Sequence, residues 1–105
     1  MKQYEIVLVG LDPTVGAEMK KTRPCVIISP LEMNDWLRSV QIAPLTTTLT
    51  DYPWRIPITF QRKRGMVALD QVRTIDKRRV VRRLGKARPE VIRAIKSVIE
   101  EMLVR

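Results

Sequence analysis

Two β-branched runs near the N-terminus, Ile6–Leu11 (IVLVGL) and Pro24–Ser29 (PCVIIS), flank a segment that has no place in a core, and this contrast constrains the fold most. The runs are short and rich in Val and Ile, which reads as strand rather than helix. Ile6–Leu11 is apolar at nearly every position, so it is expected to be covered on much of both faces. The stretch between them, LDPTVGAEMKKTR, holds an Asp12-Pro13 turn and Gly16, with Glu18, Lys20, Lys21 and Arg23. Proline presets φ and glycine accepts positive φ, so this is turn chemistry. Burying its charges unpaired is costly, so the loop projects at a rim. A carboxylate, a guanidinium and two ammoniums at a rim suit the gripping of a phosphodiester.

The remainder continues as short elements. Ser29-Pro30 stops the second run, and Leu31–Trp36 (LEMNDW) is expected to form one helical turn with Ser29 as its cap and Pro30 as its first residue. Ser39–Pro44 reads as a third strand, followed by a loop of hydroxyls at Thr46, Thr47, Thr48 and Thr50. Trp54–Phe60 (WRIPITF) alternates with period two, placing Trp54, Ile56, Ile58 and Phe60 on the core face and Arg55, Pro57 and Thr59 on the other. Pro57 cannot donate to a ladder and marks an edge or a bulge. Gln61–Gly65 (QRKRG) is expected to be a basic turn leading into Met66–Leu69. Asp76 reads as the cap of a short helix or turn through Val80, and Val80–Leu84 as a further, basic strand. Pro89–Val104 carries Val91, Ile95, Val98 and Met102, with Ile92, Ile99 and Leu103 beside them, at the spacing of a core-packing amphipathic helix of about four turns. Several short strands, tight turns and one final helix predict a single mainly β domain over residues 1–105, a small bent antiparallel sheet or barrel closed by the C-terminal helix. A barrel this small has little interior for a substrate, so chemistry falls to its rim loops or to a subunit interface.

Composition narrows the chemistry. The chain has 20 Lys and Arg against 11 Asp and Glu, a formal net charge of +9, and the excess is clustered, which favours a polyanionic partner and nucleic acid above all. It has no histidine and one cysteine, Cys25, set in an apolar run. An internal disulfide is therefore excluded, a zinc site is improbable, and a reduced cytoplasmic setting fits. Cys25 has no histidine to activate it, and its surroundings predict burial rather than nucleophilic work. No apolar run reaches membrane-spanning length, and no Gly-rich phosphate loop is present.

RNA carries its own nucleophile, the 2′-hydroxyl, so a protein can cut it with few groups: a base for that hydroxyl, a donor for the phosphorane and an acid for the leaving oxygen. Here Glu18, Asp70 and Asp12 are the available carboxylates, and Arg23, Arg73, Lys20 and Lys21 the phosphate donors. Arginine holds its proton too firmly to act readily as an acid, and a bidentate grip on phosphate is its natural role. The same basic inventory also suits a binding module without catalysis.

The segments LDPTVGAEMKKTRPCVIIS, APLTTT, YPWRIPITF, MVALDQVRTID and LGKARPEVIRAIKSVIEEML, in this order, resemble the MazF/PemK/Kid family of toxins from bacterial toxin–antitoxin pairs. The resemblance spans nearly the whole chain, and TRPCVIIS together with DQVRTID is specific to it. It implies a small SH3-like (PemK/CcdB-like) antiparallel barrel with a C-terminal helix, a homodimer, and metal-independent, sequence-specific cleavage of single-stranded RNA to 2′,3′-cyclic phosphate and 5′-hydroxyl ends. It also implies an antitoxin partner with an acidic, flexible tail, and neither cofactor nor metal. Carried over position by position, it implies catalytic roles for Arg23, Thr46 and Glu18, and RNA contacts from Thr14, Lys20, Lys21, Thr47, Asp70, Gln71 and Arg73. Asp70 matches an aspartate that the Kid branch uses as base. That branch has a histidine where this chain has Ala17 and an arginine where it has Ala68, so its acid–base assignment does not transfer. Tyr4 stands where the family usually has glycine. The rival from another class is a non-catalytic module, either an RNA binder or a CcdB-like poison that grips a protein.

Overall fold

The computed structural model describes residues 1–10 and 22–104. Seven strands form one curled antiparallel sheet, a half-barrel, against which the C-terminal helix packs. They are β1 (Glu5–Gly10), β2 (Thr22–Ile27), β3 (Ser39–Thr46), β4 (Arg55–Phe60), β5 (Lys63–Ala68), β6 (Arg73–Asp76) and β7 (Val80–Lys86). The sheet runs β4-β5-β3-β2-β1-β7, with β6 also paired to β3. The mainly β class with a terminal helix is thus as the sequence predicts.

Strand β3 is the hub. Its N-terminal half pairs with β6 (Ser39↔Asp76 to Ile42↔Arg73), and its C-terminal end pairs with β5 (Leu45↔Val67, Thr46↔Met66). β5 and β6 therefore share β3, and the 3₁₀ turn Leu69–Gln71 lies on the chain between them. Strand β2 pairs with β3 at Cys25↔Pro44, Val26↔Ala43 and Ile27↔Ile42.

Alternation along the strands feeds two cores. Ile6, Val26, Ala43, Ile56, Ile58, Val67 and Leu69 pack with Val91 and Ile95 of helix α2 (Pro89–Ile99). Val7, Val9, Cys25, Ile27, Val40, Ile42 and Ile75 make a second cluster. β1 supplies residues to both, which is why its run is continuously apolar. The end strands of the sheet meet through side chains: a Cβ built on Gly85 of β7 would lie 3.3 Å from the Phe60 ring of β4.

Local differences from the sequence reading have local causes. The helix α1 (Leu31–Trp36) forms, but Pro30 is its N-cap and no side chain caps it. Ser29 is buried instead, its hydroxyl bonded to Asn34 Oδ1 and accepting from the Gln41 amide. The hairpin turn is only Gln61-Arg62, and Lys63–Gly65 already belong to β5. Asp76 does cap the 3₁₀ turn Lys77–Arg79, accepting from the Arg78 amide at 2.8 Å. The α-helical part of the last segment ends at Ile99, continues as a π-turn over Glu100–Val104, and leaves Met102 and Leu103 exposed rather than in the core.

Positive φ occurs at three described non-glycine residues: Tyr4 (70°), Gln61 (53°) and Arg62 (66°). Tyr4 holds a glycine-like conformation, and its place is kept by its amide donating to the Ile27 carbonyl, its carbonyl accepting from the Ala87 amide, and its ring packing on the first core. Gln61-Arg62 has the two consecutive left-handed residues of a two-residue hairpin, which side chains disfavour. Replacing Arg62 with glycine should stabilise the fold by about 1 kcal/mol, read as a rise of about 4 °C in Tm; an unchanged or lowered melting point would show that Arg62 makes compensating contacts.

Candidate active site

Arg23 lies on β2, opposite Val9 of β1, and is exposed. The β2–β3 ladder ends at Cys25↔Pro44, with Arg23 two residues beyond Cys25 on β2 and Thr46, the last residue of β3, two beyond Pro44. Residues opposite each other in an antiparallel pair share a face, as do residues two apart on one strand, so the guanidinium and the hydroxyl project to the same side. Arg73 is opposite Ile42, which places it on that face too, across β3 from β2. The charges of Arg23 and Arg73 both reach Cys25 beneath them. Burial pushes its thiol up to about 12, and the two guanidiniums pull the other way. Cys25 is fully buried, as its apolar run predicts, and its thiol stays protonated.

Thr46 is half-buried, and its Oγ1 accepts from the Thr48 amide at 3.2 Å. That contact uses one lone pair and leaves the hydroxyl proton to donate outward. Thr46 is therefore both a turn former and a donor on the face of Arg23. Backbone packing sets its height: a Cβ built on Gly65 would come within 2.7 Å of the Thr46 carbonyl oxygen. Thr47 is exposed on the loop that follows.

Asp70 and Gln71 are exposed on the turn between β5 and β6. Asp70 does not hold Arg73. Its carboxylate takes a two-pronged grip from Arg55 of β4, at 2.6 Å from Nε and 3.0 Å from Nη2. Hydrogen bonding from Arg55 holds the Asp70 carboxyl below its usual range, and the same contact raises the Arg55 pKa. A carboxylate so held is a poor proton acceptor near neutrality, and Asp70 serves as an anchor for the turn. Thr14, Glu18, Lys20 and Lys21 lie outside the described residues, as does the rest of the loop 11–21.

The pair makes stability depend on pH with a definite sign. A carboxyl whose folded pKa is depressed stabilises the fold above its unfolded value, about 3.9, and that contribution is lost as pH falls through the folded value. Asp70→Asn should therefore lower Tm at neutral pH, with the deficit shrinking below about pH 4. Thermal melts of both proteins from neutral to strongly acid pH check this; a deficit that persists undiminished at the acid end would deny the pair its ionic character.

Arg55 and the exposure of Trp54 escape a sequence reading, whereas Tyr52, like Trp36, reads from the sequence as a loop aromatic able to stack a base. Arg55 has a side chain only 11% exposed, although alternation assigns it to the solvent face. Trp54, expected in the core, is exposed and stacks on Tyr52 with ring centroids 5.1 Å apart. It lies in the turn just before β4 begins, although its carbonyl still accepts from the Leu69 amide. Phe60, at the other end of β4, packs against the first core as alternation predicts.

The profile of the family described as PemK-like, MazF-like toxin of type II toxin-antitoxin system matches residues 2–103. The chain is 31% identical over 100 residues to the endoribonuclease toxin MazF of Escherichia coli strain K12, covering 94% of this chain and 90% of that protein. It is 37% identical over 98 residues to the endoribonuclease PemK of Escherichia coli, covering 88% of this chain and 73% of the other. Its fold is similar to that of MazF from Deinococcus radiodurans, with TM-score 0.81, 23% identity and coverage of 100% of this chain and 97% of that one. A mycobacterial endoribonuclease in complex with its cognate antitoxin is similar as well, with TM-score 0.83, 20% identity and coverage of 99% and 95%.

Proposed function

The chain belongs to the PemK-like, MazF-like toxins of type II toxin–antitoxin systems and is an endoribonuclease of that family, and we propose that it cuts single-stranded RNA, without metal and at a defined short sequence, through the 2′-hydroxyl. The observation that supports the chemistry is the β2–β3 pairing at Cys25↔Pro44, from which strand alternation puts Arg23 and Thr46 on one sheet face, with Arg73 farther along that face opposite Ile42. Arg23 grips two non-bridging oxygens of the scissile phosphate, and the Thr46 hydroxyl donates to the same group. Their hydrogen bonds strengthen as negative charge accumulates on the phosphorane, so they favour the transition state over the ground state.

The 2′-oxygen loses its proton to the base and bonds to phosphorus while the bond from phosphorus to the 5′-oxygen breaks, and the departing 5′-oxygen takes a proton from solvent water, leaving a 2′,3′-cyclic phosphate and a 5′-hydroxyl. Asp70 is committed to Arg55, and of Glu18 and Asp12 it is Glu18 that matches the family's site carboxylate, so Glu18 takes the base role in this proposal. Lys20, Lys21, Thr14, Thr47, Gln71 and Arg73 hold the neighbouring backbone and bases. The lack of histidine, with a single buried cysteine, argues against a zinc-dependent route.

The protein acts in the cytoplasm as a homodimer, where cleaving mRNA stops translation, and an antitoxin with an acidic tail silences it by occupying the basic RNA-binding face. The net charge of +9 suits both polyanions. Among the described residues, no helix is long and apolar enough to cross a membrane.

Incubation with a long RNA, followed by mapping of the new ends, tests the reading. Cuts at one short sequence with cyclic phosphate ends are expected, at a rate EDTA does not change. Loss of cutting in EDTA would reject the metal-free mechanism. RNA shifted in a gel but never cut would favour the binding module.

A further inference from the structure

Tyr52 and Trp54 leave large rings in water, 46% and 37% exposed, and stack on each other at 27° between ring planes. A stacked aromatic pair with part of its surface open to solvent presents a flat apolar face on which another ring can rest. The pair is held firmly. Pro53 lies between the two residues, the Tyr52 amide donates to Thr50, the Arg55 amide donates to the Tyr52 carbonyl, and the Leu69 amide donates to the Trp54 carbonyl. The Arg55 guanidinium stands 5.8 Å from the centre of the Tyr52 ring, with its charge met by Asp70. Since Arg55 is already paired, this cluster offers a π surface rather than a cationic seat for phosphate, and that surface suits a flat, neutral ring.

Its position relates it to the phosphate-gripping residues. Thr46 is opposite Met66, and Met66 is opposite Pro57, two residues from Arg55 on the same side of β4. Arg55 thus shares a sheet face with Thr46, at roughly 12 Å between backbones from ordinary strand spacing and rise. One extended RNA strand can span both.

We propose that the Tyr52–Trp54 pair is a shelf on which one unstacked nucleobase of the RNA rests, close to the bond gripped by Arg23 and Thr46. This rests on the endoribonuclease reading and adds a base subsite to it. Stacking on an aromatic face tolerates any base, so the shelf contributes affinity and positioning rather than the sequence code. The turn is already built, so little ordering is lost on binding.

The test begins with the mapped cleavage site. Short RNAs containing it, each with a single abasic residue at a successive position, are cut by the wild-type protein and by a Tyr52→Leu/Trp54→Leu variant. Leucine keeps apolar bulk but removes the π faces. With wild type, one abasic position near the bond should cost roughly tenfold or more in kcat/KM. The variant should show that loss on intact RNA, chiefly in KM, and the same abasic position should then cost it nothing further. A Tyr52→Phe/Trp54→Phe variant should behave as wild type, which also guards against a folding defect in the leucine variant.

Fluorescence gives a second readout. In a Trp36→Phe background Trp54 is the sole tryptophan, and its emission should be quenched by a non-cleavable RNA carrying 2′-deoxyribose at the cut position but not by the abasic version. Equal quenching by both, or an abasic penalty that persists in the leucine variant, would overturn the shelf while leaving the nuclease intact. A wild-type protein that cuts no RNA would overturn the endoribonuclease reading instead.

Discussion

Arg23→Ala is expected to lower the cleavage rate of single-stranded RNA by about 10²- to 10³-fold, the usual cost of removing one preorganised donor from a developing anion. The side chain is exposed on β2, outside both hydrophobic clusters. Its removal should therefore leave Tm almost unchanged, as surface substitutions away from buried contacts generally do. Arg23→Lys keeps the charge but not the planar two-pronged geometry, and should recover only part of the rate. Single-turnover cleavage with thermal melts of all three proteins decides the matter. An Arg23→Ala protein that cuts at the wild-type rate removes the guanidinium from the chemistry, and with it the significance of its register with Thr46.

Gly65→Ala should be nearly as damaging although the residue touches no substrate. The added methyl would come within 2.7 Å of the Thr46 carbonyl oxygen, well inside van der Waals contact, and a backbone atom cannot swing aside as a side-chain tip can. β5 and β3 must separate near the Thr46↔Met66 pair, carrying the hydroxyl away from the phosphate. A displacement of about 1 Å at a reacting group costs on the order of 100-fold in rate, and overpacking of this kind destabilises by about 1–3 kcal/mol. Thr46→Val in the wild-type background helps separate the two effects, since it removes the hydroxyl and its bond from the Thr48 amide while leaving the β3–β5 contact at Gly65 untouched. If Gly65→Ala leaves both rate and Tm as they are, β3 and β5 are more loosely paired than their register implies.

The two predictions differ in what the chain reveals unaided. An arginine and a threonine at 23 and 46 are legible from the motifs TRPCV and APLTTT. Their mutual position is not, because nothing within either motif states that Cys25 pairs with Pro44. Gly65 is legible as a turn residue, yet it lies inside β5 and its demand is steric, arising from a strand nearly twenty positions away. Asp70 shows the same limit. Its nearest basic neighbour in the sequence is Arg73, whereas its partner in space is Arg55, reached only because β4 lies beside β5. Trp54 follows the period-two pattern of its segment but sits in the turn just before β4 begins.

Local pattern alone settled the mainly β class, the terminal helix, the burial of Cys25, the capping by Asp76 and the basic character suited to a polyanion. Each of these depends on residues within a few positions of one another or on composition, where periodicity, turn chemistry and charge act directly. Tertiary structure decided which sheet face Arg23 and Thr46 share, which guanidinium grips the Asp70 carboxylate, and which rings are left in water. Those outcomes depend on strand order and register, set by the joint packing of two cores drawn from the whole chain, and no local stretch of sequence contains that sum.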